Sequence, residues 1–299
     1  MKVYVHPAKE DWIVDRFVNE WNEDNKDITT TNPFESDIIW LLASWCWFDI
    51  AKFESLRSKK ILTTIHHIAP EKFDESSIKN FLLRDKITTA YHVYNETTFS
   101  FISKFTKKPI HLIEYWANQK IWKKTGDKYF FRKKYQLPHN GYLIGTFQRD
   151  TEGKDLVSPK LEKGPDLFCD AIEKWWNNNK NIHVVLAGWR RQYVISRLSS
   201  AGIPFTYFEK PSQEVLNELY QTLDLYPVTS RCEGGPQALI ECGLLNVPVV
   251  SRDVGVARQV LKESSISSDV TLAKPDIPLV ENLKLPKGYS LYRDIFFRL

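Results

Sequence analysis

The segment Ser230-Arg231-Cys232-Glu233-Gly234-Gly235-Pro236-Gln237-Ala238-Leu239-Ile240-Glu241 places two carboxylates around a glycine pair, with seven residues between them. It follows the apolar run Leu223 to Val228, which predicts a buried strand, and Pro236 opens a small, apolar pattern that predicts a helix. Free N–H groups at such a helix start, backed by the helix dipole, attract a phosphate or diphosphate. Glu233 then sits beside the phosphates and Glu241 two turns along the helix, so that one carboxylate can reach a sugar and the other a ribose diol. The competing reading makes Glu233 a helix cap and Glu241 a surface residue.

Two cations join this arrangement. Arg149 follows the strand-like run Tyr142 to Phe147, and Lys163-Gly164-Pro165 opens an amphipathic stretch, Asp166 to Trp176, with Leu167, Phe168, Ala171, Ile172 and Trp175 at helical spacing. Fixed cations at a strand end and a helix start can clamp a diphosphate and meet the charge that develops as it leaves.

Ten short β-rich runs alternate with helical patterns along the chain: Val3–Val5, Ile38–Leu42, Ile61–Ile65, Thr88–Val93, Ile110–Ile113, Tyr142–Phe147, Ile182–Ala187, Phe205–Phe208, Leu223–Val228 and Val247–Val250. Alternation of this kind predicts parallel sheets covered on both faces, and ten strands suit two small doubly wound sheets. The irregular stretch 118–140 is expected to connect them. Ser212 is expected to cap a helix over Gln213–Tyr220, and Gly255 marks a loop at a strand's carboxyl end, where open α/β sheets bind ligands.

The chain has 299 residues and a formal charge of +4, which gives no global footprint for nucleic acid, and no nucleic-acid partner is expected. No apolar stretch at the beginning fits a signal peptide, and the longest apolar run, Ile38 to Phe48, is too short to cross a bilayer. A cytoplasmic protein is expected. Cys46, Cys169, Cys232 and Cys242 form no Cys-x-x-Cys pair and read as buried thiols in a reducing compartment, with no structural zinc site. The segment 101–135 interleaves lysines and arginine with aromatics. It reads either as a peripheral contact with the inner face of an anionic membrane, or as a solvated face whose aromatics pack inward.

The segment "PVTSRCEGGPQALIECGLLNVPVVSRDVGVARQVL" resembles the donor-binding segment of the retaining glycosyltransferases of family 4. "IGTFQRD" followed by "KGPDLFCDAI" resembles that family's arginine and lysine pair, and the likeness runs in order from about Tyr142 to Val260. The resemblance implies the GT-B architecture: two Rossmann-like, doubly wound α/β domains facing each other across a cleft. The domains would be 1–118 on the acceptor side and 119–285 on the nucleotide-sugar side, with 286–299 returning to the first. It implies that Glu233 is catalytic and near the anomeric carbon, that Glu241 binds the ribose, and that Arg149 and Lys163 hold the diphosphate. The backbone of Gly234, Gly235, Gln237 and Ala238 would line the phosphates. His66, at the end of the run Ile61–Ile65, resembles the strand-end histidine that faces the donor sugar; His67 and His6 are read as bystanders.

The implied activity is metal-independent, retaining hexosyl transfer from a nucleoside-diphosphate sugar to a glycan, lipid-linked or other hydroxyl acceptor. No cofactor and no metal ligand are expected, because the chain has no Asp-x-Asp with which to hold a divalent ion on the diphosphate. A non-catalytic nucleotide-sugar-binding protein of the same architecture is the alternative. Gly235 and Pro236 stand where the family often has an aromatic and a glycine, and Pro236 has no N–H to donate.

Overall fold

The computed structural model describes residues 1–10, 13–153 and 155–299. The chain divides into two units, Met1–Tyr115 with Tyr289–Leu299, and Trp116–Gly288. All ten expected strands form: β1 (Val3–Val5), β2 (Ile38–Leu41), β3 (Lys60–Ile65), β4 (Ala90–Val93), β5 (Ile110–Leu112), β6 (Tyr142–Thr146), β7 (Ile182–Gly188), β8 (Phe205–Glu209), β9 (Tyr226–Val228) and β10 (Val249–Ser251).

In the first unit the five strands pair in parallel in the order β1-β2-β3-β4-β5. Both faces are covered, as the near-continuous apolar strands require. On one face Ile39, Leu41 and Ile61 pack against Trp47, Ile50 and Leu56, while Ile65, Tyr91 and Val93 pack against Phe81 and Ile102. On the other, the fully buried Trp40 donates from its indole N–H to Thr64 Oγ1 at 2.8 Å. Around it stand Trp21 from the helix Ile13–Asp24 and Tyr292 and Phe296 from the helix Lys287–Arg298, with ring centroids 5.2 to 5.4 Å away.

In the second unit β6, β7 and β8 pair in parallel, as do β9 and β10. A bridge between Ile144 and Leu225 joins the two groups, with the Gly145 N–H donating to Leu225 O at 3.0 Å. The strand order is therefore β8-β7-β6-β9-β10, and it reverses between β6 and β9. At such a reversal the connections leave in opposite directions and open a crevice at the strands' carboxyl ends.

The stretch 118–140, expected as a connection, lies inside this second unit. Its helix Lys128–Lys134 is started by Asp127, whose carboxylate accepts the N–H groups of Tyr129 and Phe130. Arg132 is buried, donating to Thr222 O and to Asp224 Oδ2, and Lys134 and Lys128 pair with Glu218 and Asp224. Trp116, Trp122 and Phe131 are buried as well, leaving Tyr129 and Phe130 exposed. Most of the aromatics of 101–135 thus pack inward, whereas Lys104, Lys107, Lys120, Lys123, Lys124, Lys133 and Lys134 are exposed, and no described helix is long and apolar enough to cross a membrane.

Candidate functional site

Where the strand order reverses, the loop after β6 carries Gln148 and Arg149, and the loop after β9 carries Thr229 to Glu233. A short 3-10 turn, Leu161–Lys163, joins them and leads through Gly164 into the helix Pro165–Asn178. Gly164 has φ 62°, and a Cβ there would lie 2.0 Å from Thr229 O, so only glycine lets this turn approach the end of β9. Thr229 Oγ1 donates to Gly164 O at 2.9 Å, and the N–H of Arg231 donates to Glu162 O at 2.7 Å. Gln148 Nε2 donates to Lys163 O at 2.8 Å, so all three loops are tied through backbone carbonyls of the turn.

This scaffold brings Lys163 and Glu233 together. The Lys163 Nζ donates to both Glu233 oxygens, at 2.6 and 2.7 Å, and Ser230 Oγ donates to Glu233 Oε1 at 2.9 Å. Arg231 turns the other way, with both terminal nitrogens on Asp166 at 2.6 and 2.7 Å. Lys160, which sequence reasoning missed, is half-buried and its ammonium pKa is lowered, first by desolvation and then by the charge of Arg149, with Lys163 adding to it. Arg149, Lys160 and Lys163 thus concentrate positive charge within interacting range. The only signal for Lys160 in the sequence is its place three residues before Lys163.

The loop bearing Arg149 is fixed from below. Asp150 and Arg191 form a buried ion pair, Nε to Oδ2 at 3.0 Å, and Arg191 also donates to Thr146 O and Ala187 O at 2.7 and 2.9 Å. Burial raises the Asp150 pKa, and Arg191 opposes that rise. Sequence reasoning missed this pair, because forty residues separate the two side chains and both look like surface charges.

Gly234, Gly235 and Pro236 lead into the helix Gln237–Leu245. The loop after β10 presses on this turn: Gly255 has φ 57°, and a Cβ there would meet Pro236 Cδ at 2.7 Å and Gly235 Cα at 2.9 Å. Gln237 and Ala238 occupy the first two helical positions, with Pro236 as the cap. Glu241 is 6% exposed, so the surface reading of it is wrong. It faces inward because it accepts the Tyr220 hydroxyl at 2.7 Å.

His66 lies in the first unit. Its Nε2 is 2.9 Å from Leu42 O, which can only accept, so that nitrogen carries the proton and Nδ1 accepts from the Tyr115 hydroxyl at 3.0 Å. Burial lowers its pKa to about 4, keeping the ring neutral. Both ring nitrogens have protein partners, so contact with a sugar requires one of them to be exchanged. Of the cysteines, Cys169 and Cys242 are buried, but Cys46 and Cys232 are only partly so, contrary to expectation, because both lie in loop or 3-10 segments beyond strand ends.

Residues 158–275 match the family model described as glycosyl transferases group 1. No curated protein matches the chain in sequence. Among solved structures, Anabaena HepE in complex with UDP and glucose superposes with a TM-score of 0.73 at 12% identity, covering 90% of this chain and 87% of that one. Sucrose-phosphate synthase from Thermosynechococcus elongatus gives 0.65 at 15% identity, covering 96% and 79%. A glycosyltransferase from Rickettsia africae gives 0.62 at 16%, covering 90% and 85%. With two parallel α/β units, these neighbours and a group 1 glycosyl transferase match over 158–275, the chain has the GT-B fold.

Proposed function

We propose that the protein is a retaining glycosyltransferase that moves a hexosyl group from a nucleoside-diphosphate sugar to an acceptor hydroxyl. The observation that carries this reading is the Lys163–Glu233 ion pair, with Lys160 close enough to feel the charges of Lys163 and Arg149, at the point where strand order reverses. A diphosphate entering there gives the cations a second anionic partner, and they stabilise it further as it departs. Arg149 and Lys163 hold the diphosphate, the turn from Gly234 through Gln237 and Ala238 supports it, and Glu241 takes the ribose. Glu233 stands by the anomeric carbon and His66 serves the sugar from the acceptor side. These cations take the place of a metal on the diphosphate, and the reaction needs no cofactor.

The glycan or lipid-linked nature of the acceptor, a cytoplasmic setting and a peripheral membrane contact through 101–135 belong to the same proposal. Uridine is the base to test first, since HepE has been solved with UDP-glucose. A thermal-shift screen of nucleoside diphosphates and their sugars tests the reading, because a ligand of the native state raises the melting temperature by mass action. Stabilisation by a diphosphate and its sugar but not by the nucleoside alone is expected. No shift with any of them overturns the proposal.

A further inference from the structure

The parallel pairing of β1 with β2 brings the end of β1 beside the segment that follows β2, and there three potential metal ligands converge. His6 Nε2, Cys46 Sγ and a carboxylate oxygen of Asp49 lie within 4.8 Å of one another. Their sequence spacing hides the group, since two come from one short helical segment and the third from forty residues earlier. We infer that His6, Cys46 and Asp49 bind a divalent transition-metal ion, for which zinc is the best fit.

His6 is 9% exposed, and the nearest partner of its Nε2 is Asp49 Oδ2 at 3.4 Å, a long contact that falls short of hydrogen-bond geometry. A buried ring nitrogen left in that state is costly unless something accepts its lone pair. Tetrahedral zinc, with bonds of about 2.0 to 2.3 Å, needs ligand atoms about 3.3 to 3.8 Å apart, and the His6–Asp49 separation already falls there. The other nitrogen, Nδ1, is 3.4 Å from the Tyr4 hydroxyl, which can accept its proton and orient the ring.

The surroundings are negative. The carboxylates of Asp49, Glu10 and Asp15 stand within electrostatic range of Cys46, so a cation there has anionic surroundings. Asp15 accepts the N–H groups of Ala8, Lys9 and Glu10 at 2.8 to 3.0 Å, and Glu10 accepts the Trp45 indole N–H at 2.8 Å. The loop after His6 is therefore anchored before any ion binds. Lys52 shares Asp49 at 2.9 Å and would give up part of that contact. One nitrogen, one sulfur and one oxygen suit borderline-soft zinc better than magnesium or calcium, and three protein ligands leave a fourth position for water or a substrate oxygen.

The test uses the full chain stripped of metal, with zinc binding measured against a chromophoric chelator and cobalt substitution followed by absorption. One equivalent of zinc, and a cobalt spectrum with a thiolate charge-transfer band, are expected. Cys46→Ser should abolish that band, and His6→Gln and Asp49→Asn should each weaken zinc binding about tenfold or more. Wild-type protein that binds less than one equivalent, or a Cys46→Ser variant with an unchanged cobalt spectrum, overturns the inference. Thermal shift by UDP, which reports the second unit, controls for folding and keeps this result separate from the glycosyltransferase reading.

Discussion

Lys163 and Glu233, seventy positions apart, meet in a two-point ion pair because one precedes Gly164 and the other follows β9, and Gly164 lets those backbones touch. A cation that already neutralises a carboxylate is held in place before a diphosphate arrives, at little cost in side-chain freedom. Lys163→Ala is expected to weaken nucleoside-diphosphate binding by about 10- to 100-fold, the equivalent of losing about 1.5 to 3 kcal/mol from a charge-assisted contact. Binding of the nucleoside without phosphates should stay unchanged. Calorimetric titration of both ligands checks this, and equal losses for both would remove Lys163 from the diphosphate.

Glu241 owes its orientation to the Tyr220 hydroxyl. Tyr220→Phe keeps the ring against Trp122, Phe147 and Tyr226 but deletes that donor. A severalfold rise in the dissociation constant for UDP is expected, with a fall in stability of about 1 to 3 kcal/mol. Glu241→Ala should lower affinity at least as much. Titration and denaturant melts on both variants decide whether the carboxylate serves the ligand or only the core.

The Asp150–Arg191 pair predicts a stability effect. Asp150→Ala leaves the Arg191 charge buried among carbonyls and should cost about 3 to 5 kcal/mol of unfolding free energy. Restoring an apolar pair with Asp150→Leu and Arg191→Met should recover part of that loss. Chemical denaturation monitored by tryptophan fluorescence measures both.

His66 sets a pH dependence. Its pKa is about 4 in the folded protein and 6.5 in its absence, so between those values the unfolded chain binds the extra proton. Stability is therefore fully present above about 6.5 and declines as pH falls toward 4. His66→Gln should flatten that part of the profile. Melting temperature against pH for the two proteins gives the comparison, and identical slopes would show that the histidine is not held neutral.

On the proposed reading, in which Arg149, Lys160 and Lys163 supply the positive potential at the diphosphate, excess chelator should leave UDP-induced stabilisation intact. Loss of the shift, restored by added metal, would place an ion at the diphosphate.

Apolar runs alternating with helical patterns made all ten strands legible: burial on both faces enriches the inner strands in branched side chains, and the only partly buried β5 and β8 show as short apolar and aromatic runs. The helix Gln213–Tyr220 and its Ser212 cap were equally legible, and Val215 N–H does donate to Ser212 Oγ. The helix Lys128–Lys134 was not: its one clear mark is the Asp127 cap, and Gly126 and Pro138 on either side resemble loop residues. Within the candidate site, Glu233 and Lys163 stood out by type and position. Their direct pairing, the contribution of Lys160 and the Asp150–Arg191 support depend on which loops touch, and no local pattern encodes that.

The helix Lys287–Arg298 that covers Trp40 has a consequence for synthesis on the ribosome. The strands it covers emerge first and the helix begins 175 positions after Leu112, the end of β5, with most of the second unit translated in between. Until then Trp21 and Trp40 lack the aromatic cover of Tyr289, Tyr292 and Phe296. The second unit can complete its own sheet on the nascent chain, whereas the first must wait, so the order of maturation is the reverse of the order of translation.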